Sequence, residues 1–193
     1  VFDLGGVLID WNPRYLYRKL MSEAEADWFV KNVVPGEWND EMDAGRPFAE
    51  AIAERSALYP QHAQLIRAYF DRWGEMISGP IDGTVQILRE LHAQGVPLYA
   101  LSNWSHETFP RAEALYDFLG LFQGKVVSGF EKMRKPDPRI FQLLIDRFGL
   151  TPNKTLYIDD VEKNIAAAHY AGFVTHHFRS PQQLHQEIEG LGL

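Results

Sequence analysis

From residue 84 to residue 178 the chain alternates between helix-like and strand-like runs, and this alternation restricts the fold more than any other feature. TVQILRELHAQ, 84–94, has helical periodicity and is closed by Gly95 at the C′ position. PLYALSN, 97–103, is an apolar run ending in small polar residues, the pattern of a buried strand. A helix-like stretch over 106–118 and a short strand at GKVVSG, 124–129, follow. In KPDPRIFQLLIDRFG, Asp137 has the place of an N-cap, Pro138 that of the first helical residue, and Gly149 that of the stop. TLYIDD, 155–160, reads as a strand and VEKNIAAAHYAG, 161–172, as a helix whose three consecutive alanines permit close packing on a sheet. FVTHHF, 173–178, reads as a last strand. Such alternation predicts an α/β fold, a Rossmann-like parallel sheet with helices on both faces.

Residues 12–80 follow another pattern. Ser22 and Glu25 have capping-box spacing. In QHAQLIRAYFDRWGEMI, the residues Leu65, Ile66, Tyr69, Phe70, Trp73, Met76 and Ile77 form one apolar stripe. No strand alternation is visible here. The expectation is an all-helical insert of roughly four helices at 12–80, with the core formed by 1–11 and 81–193. A chain of 193 residues, 46% hydrophobic, is long enough for a core and a smaller insert of this kind. The chain opens inside a strand-like run without an initiator Met, so upstream residues are expected.

The formal charge of −7 and the lack of a long basic block give no nucleic-acid footprint. No apolar run is long enough for a membrane span, and no signal peptide is visible. The absence of cysteine excludes disulfides and thiolate metal sites and fits a cytoplasmic protein.

Parallel sheets present their chemistry at the C-terminal ends of the strands. Here those ends carry Asp3, then Ser102 and Asn103, then Asp159 and Asp160; Lys135 lies in a loop just before a helix. Any one of these alone is a cap, a turn residue or a surface charge. Four clusters at corresponding ends of one sheet make a site. Two like charges about 4 Å apart repel by about 4 kcal/mol at an effective dielectric of 20. Converging acids therefore shift their pKa values upward or recruit a cation. An all-oxygen ligand set suits Mg2+, which keeps water and substrate phosphate in its shell. His176 and His177 point to opposite faces of a strand and are expected to be structural. In FDLGGVLID, 2–10, a carboxylate on the strand tip beside Mg2+ can attack phosphorus. Gly5 and Gly6 let the backbone approach the metal and the phosphoryl oxygens. Ser102 and Asn103 would donate to those oxygens and Lys135 would offset their charge. Asp160 would ligate the metal directly; Asp159 would ligate it through water or orient the ligand.

These segments resemble the haloacid dehalogenase superfamily. FDLGGVL is similar to its first motif, LSN to its second, KPDPRIF to its third and YIDD to its fourth, covering nearly the whole chain. The resemblance implies a mobile helical cap at 12–80, Asp3 as nucleophile, a Gly5 carbonyl on Mg2+, Ser102 and Lys135 on phosphate, and Asp160 on the metal. The pairing of DLGG with DD most resembles a bacterial subgroup that includes a sugar-1-phosphate phosphatase. The implied activity is hydrolysis of a small phosphorylated metabolite. One departure stands out: the family's phosphatases carry a second Asp, a general acid and base, where this chain has Gly5. Asp10, His106 and Glu107 are candidates to replace it, and Trp11, Trp38, Trp104 and His106 are candidates for substrate specificity. The alternatives are 2-haloacid dehalogenation, which uses the same nucleophile without metal and without paired acids, a non-catalytic binding protein, and a phospho-accepting signalling domain. In the last, the acid pair and the acceptor come in the reverse order.

Overall fold

The first three residues occupy the middle of a parallel sheet. The computed structural model describes residues 1–192. In chain order its strands are β1 (Ile9–Trp11), β2 (Ile77–Pro80), β3 (Tyr99–Ser102), β4 (Gly124–Val127), β5 (Leu156–Asp159) and β6 (Val174–His177). Its α-helices are α1 (Arg14–Tyr17), α2 (Glu23–Asn32), α3 (Gly36–Asp43), α4 (Phe48–Leu58), α5 (Ala63–Asp71), α6 (Asp82–Ala93), α7 (Phe109–Leu115), α8 (Ser128–Glu131), α9 (Pro138–Phe148), α10 (Glu162–Tyr170) and α11 (Pro181–Gly190). β3 pairs in parallel with β4, and β5 with β6. Phe2 bridges Ala100 on one side and Ile158 on the other, both in parallel. The Phe2 amide donates to Tyr99 O at 2.9 Å and the Asp3 amide to Ile158 O at 2.8 Å. The spatial order is therefore β4, β3, residues 1–3, β5, β6. The chain moves to one side of its first segment and later returns to the other. The switch point, where open α/β sheets form a crevice, falls at Asp3.

Successive strand residues point to opposite faces. Phe2, Ala100 and Ile158 join one buried cluster with Leu88, Leu91, Leu184 and Ile188 of α6 and α11. Val1, Leu101 and Tyr157 join the other with Ile140, Phe141 and Leu144 of α9 and Ala168 of α10. Each fully buried Leu, Ile or Phe contributes about 1.5–3 kcal/mol. The helix signals read from sequence have their physical counterparts. The Asp137 side chain accepts from the Arg139 amide, Pro138 opens α9, and Gly149 ends it at φ 61°. Ser22 and Glu25 form a reciprocal capping box on α2.

Helices α1–α5 lie between β1 and β2, which pair antiparallel where the chain leaves the sheet and returns to it. One expectation changes here. The apolar stripe of 65–77 is not one helix: α5 ends at Asp71, Trp73–Met76 form a 3-10 turn, and Ile77 begins β2. The end of the run pairs with Ile9–Trp11 instead of staying helical, and the register shift there skips Ser78, next to Gly79 at φ 145°. The segment 1–11 keeps the strand tip that the sequence places at Asp3. It turns after Asp3, with the Leu8 and Ile9 amides both donating to Leu4 O at 2.8 and 2.9 Å. No helix among the described residues is long and apolar enough to cross a membrane.

Candidate active site

The strand ends deliver the acids the sequence placed there. Asp3, Asp159 and Asp160 each offer a carboxylate oxygen within 4.8 Å of the others. Ser102 is buried at the end of β3. Lys135 comes in from the loop before α9, completely buried. Its Nζ donates to Asp159 Oδ2 at 2.7 Å and to Leu101 O at 2.9 Å, and it pairs with Asp3 Oδ2 at 2.9 Å.

The three acids are not equivalent. Asp159 accepts from Lys135, from the Tyr157 hydroxyl at 2.8 Å, from the Val161 amide at 2.9 Å and from Asn164 Nδ2 at 3.1 and 3.2 Å. Burial pushes this carboxyl up, but the Lys135 charge and these hydrogen bonds outweigh it and hold the group below the usual carboxylate range. Asp3 accepts from the Leu4 amide at 2.7 Å besides its Lys135 contact. Burial pushes Asp3 up to about 7, with Lys135 working against it and Asp159 with it. Asp160 is raised by burial and then by the charge of Asp159. One ammonium against three carboxylates leaves negative charge unbalanced, so the cluster favours an added cation or a proton.

The turn after Asp3 sets the approach of Asp160. Gly6 has φ 75°, and a Cβ there would run into the Asp160 carboxylate. Gly5 differs: a Cβ built on it would meet no atom within 4 Å. That space opens into a cavity of about 70 Å³ between the strand ends and the insert. At roughly 30 Å³ per liquid water this is room for about two waters. Trp11, Phe48, Trp73 and Trp104 form its apolar wall, and Asn39, Asp43 and Asn103 supply polar groups.

Several sequence expectations are redirected. The Asn103 carboxamide clamps the backbone of Lys135, accepting from its amide at 2.8 Å and donating to its carbonyl at 3.0 Å. It therefore positions the lysine rather than facing the place of a phosphate with both its groups. Asp10, His106 and Glu107 do not line the cavity beside Gly5. Asp10 accepts from the Tyr15 hydroxyl at 2.9 Å, Glu107 accepts from the Phe48 amide at 2.7 Å at the start of α4, and His106 packs edge-on against Phe130. Of the aromatic candidates, Trp11 and Trp104 line the cavity, while Trp38 is buried against Tyr69. Three residues escaped the sequence reading. Tyr157 was legible, because it lies two residues before Asp159 and strand alternation puts both on one face. Asn164 and Asp43 sit on helices and had no such signal.

Fold and site together define an α/β protein with a Rossmann-like parallel sheet whose strand ends gather Asp3, a buried lysine and an acid pair. Residues 1–172 match the family described as haloacid dehalogenase-like hydrolase, and the chain belongs to it. Sesquiterpene phosphatase astK of Aspergillus oryzae is 26% identical over 185 residues, which span 92% of this chain and 87% of that protein. Phosphoglycolate phosphatase of Thiobacillus denitrificans is 32% identical over 147 residues, spanning 74% of this chain but 58% of that protein. A solved HAD family enzyme of Bacteroides thetaiotaomicron is similar at a TM-score of 0.72 and 23% identity, with 93% of this chain and 92% of that one covered. That enzyme has also been solved with magnesium and inorganic phosphate.

Proposed function

We propose that the protein is a Mg2+-dependent phosphatase that hydrolyses a small phosphorylated metabolite through a phosphoenzyme on Asp3. The observation that carries this reading is the arrangement at the switch point. Asp3 shares a buried lysine with Asp159, while Asp160, held close by Gly6, has no ammonium of its own. The phosphatase names of the relatives and the magnesium and phosphate bound to the Bacteroides enzyme support it.

The donor set fits Mg2+, being all oxygen and carrying uncompensated negative charge. Asp3, Asp160 and the Gly5 carbonyl would hold the ion; Asp159, saturated with donors, would hold Lys135. When bound, the ion neutralises charge between the carboxylates and a phosphoryl group. The chain's own groups do the rest. Asp3 attacks phosphorus, Ser102 donates to the phosphoryl oxygens, and the Lys135 charge, beside Asp3, offsets the charge that builds there. Tyr157, Asn164 and Asn103 keep Asp159 and Lys135 from reorienting. Residues 12–80 act as the cap over a core made of 1–11 and 81–193. Its aromatic wall and the carboxamide of Asn39 suit a compact polar leaving group, a sugar among them.

Phosphate release from p-nitrophenyl phosphate tests this. Turnover is expected with Mg2+, to vanish in EDTA and to fall at least about 1,000-fold in Asp3→Asn while the circular dichroism spectrum is kept. EDTA-insensitive turnover, full activity in Asp3→Asn, or chloride release from 2-chloropropionate would overturn it, the last in favour of dehalogenation.

A further inference from the structure

A phosphatase that forms an aspartyl-phosphate must protonate an alkoxide as it leaves and deprotonate water as it enters. At Gly5 this chain has no side chain to do so. The space beyond Gly5 is open, and the cavity filling it is lined by a single ionisable residue, Asp43. We propose that Asp43, the last residue of α3 in the insert, is the general acid and base of the reaction, supplied from across the cleft. This rests on the phosphatase reading above.

The position of Asp43 is built rather than incidental. The Ser128 hydroxyl of the core donates to the Asp43 carbonyl at 2.5 Å and itself accepts from the Trp104 amide at 2.9 Å. Arg134, next to Lys135, pairs with Asp40 at 2.7 Å. The turn after Asp43 passes so close to the core that a Cβ on Gly45 would lie 2.9 Å from Gly129 O. Three contacts thus dock the end of α3 on α8 and on the loop that carries Lys135. The Asp43 side chain accepts from Asn39 Nδ2 at 2.8 Å, one turn back, and Asn39 in turn accepts from Tyr69. The carboxyl is oriented by a neutral amide, not neutralised by a cation.

Its surroundings also suit proton transfer. Burial pushes the Asp43 carboxyl up to about 7, and the Asp40 charge adds to this; Arg134, the Ser105 amide and Asn39 work against it. The other charged groups on the packed elements are engaged or outside. Glu50 and Glu54 of α4 are exposed, Glu131 of α8 pairs with Arg147, and Tyr69 of α5 stays protonated. An acid with a pKa near the working pH is the most useful one.

The step balances as follows. An Asp3 oxygen bonds to phosphorus as the bond from phosphorus to the leaving oxygen breaks. That oxygen takes the proton of Asp43. Water then attacks the phosphoryl group, Asp43 takes its proton back, and phosphate leaves with Asp3 restored.

Paired aryl phosphates provide the test. p-Nitrophenolate leaves without help, whereas phenolate, with a conjugate acid of pKa ~10 like that of tyrosine, needs a proton. In wild type the two substrates should differ in kcat by no more than about 10-fold. Asp43→Asn should widen that gap by a further ~100- to 1,000-fold, within the 10²–10⁴-fold usual for acid catalysis, with KM changed less than kcat. Both rates come from one preparation, so partial unfolding lowers them together and leaves the gap unchanged. The proton must be present on Asp43, so wild-type kcat for phenyl phosphate should fall as pH rises above about 7, a limb that Asp43→Asn lacks. An unchanged gap, an unchanged pH limb, or an effect confined to KM would overturn the proposal while leaving Asp3 in its role. Loss of the Mg2+ or Asp3 dependence in wild type would instead overturn the phosphatase reading itself.

Discussion

Two places in this molecule have the same ingredients, one cation bridging two carboxylates. Lys135 lies between Asp3 and Asp159 at the strand ends, and Arg46 lies between Glu41 and Glu54 on the insert. Lys135 is fully buried, whereas Glu41 and Glu54 are 45% and 62% exposed at the side chain. In water, an exposed pair exchanges its hydration for a contact of nearly equal worth and is screened by salt. Out of water, each partner depends on the others, because none can return to solvent while the fold persists. Burial by itself would lower the Lys135 pKa, yet the two carboxylates raise it overall. The comparison shows that a charge cluster acquires chemical use when it is desolvated, since only there does its geometry fix which group carries charge.

The sharpest way to break this comparison is to remove each cation. Lys135→Met should cost about 3–5 kcal/mol by leaving Asp3 and Asp159 buried and unpaired. Urea unfolding in EDTA reads this as a lower midpoint at unchanged slope. Turnover of p-nitrophenyl phosphate should be lost as well, and a midpoint equal to wild type would mean that water already reaches the buried cluster. Gly6→Ala tests the other side of the site. It forces φ 75° on a residue with a Cβ and pushes against Asp160. The backbone alone should cost about 1–2 kcal/mol. Thermal melts should also show a smaller stabilisation by Mg2+ than in wild type, and an equal Mg2+ response would remove Asp160 from the metal site. The smallest effect belongs to Arg46→Ala, whose melting temperature and salt dependence should stay within experimental scatter. A clear loss there would make the exposed cluster comparable to the buried one.

How much was legible follows the same division. Asp3, Ser102, Asp159 and Asp160 were found because a strand's last residue is marked by where its apolar run stops. Lys135 was found because it sits immediately before a Pro-started helix. Asp43 was not found. It stands in GEWNDEMDAG among Glu37, Asp40 and Glu41, and nothing in the spacing separates it from solvated acids. What distinguishes it is docking against Ser128 and the emptiness beside Gly5, both long-range facts. The candidates Asp10, His106 and Glu107 were read as acids of the insert or of a substrate-facing loop, and each is engaged away from the cavity, Asp10 by Tyr15, Glu107 by the Phe48 amide and His106 by Phe130. Similarly, helical periodicity over 65–77 was real, but pairing of Ile77–Pro80 with β1 took the end of the run into a sheet.

The sequence alone determined the alternating elements, their caps and the strand ends at which polar groups collect, because periodicity and capping act over a few residues and need no distant partner. Tertiary structure decided which two acids share the ammonium, which acid has none, and which carboxyl of the insert lines the cavity beside Gly5. Those outcomes depend on distances between segments tens of residues apart and on the removal of water around them, and electrostatic energy in a desolvated cleft is set by that geometry.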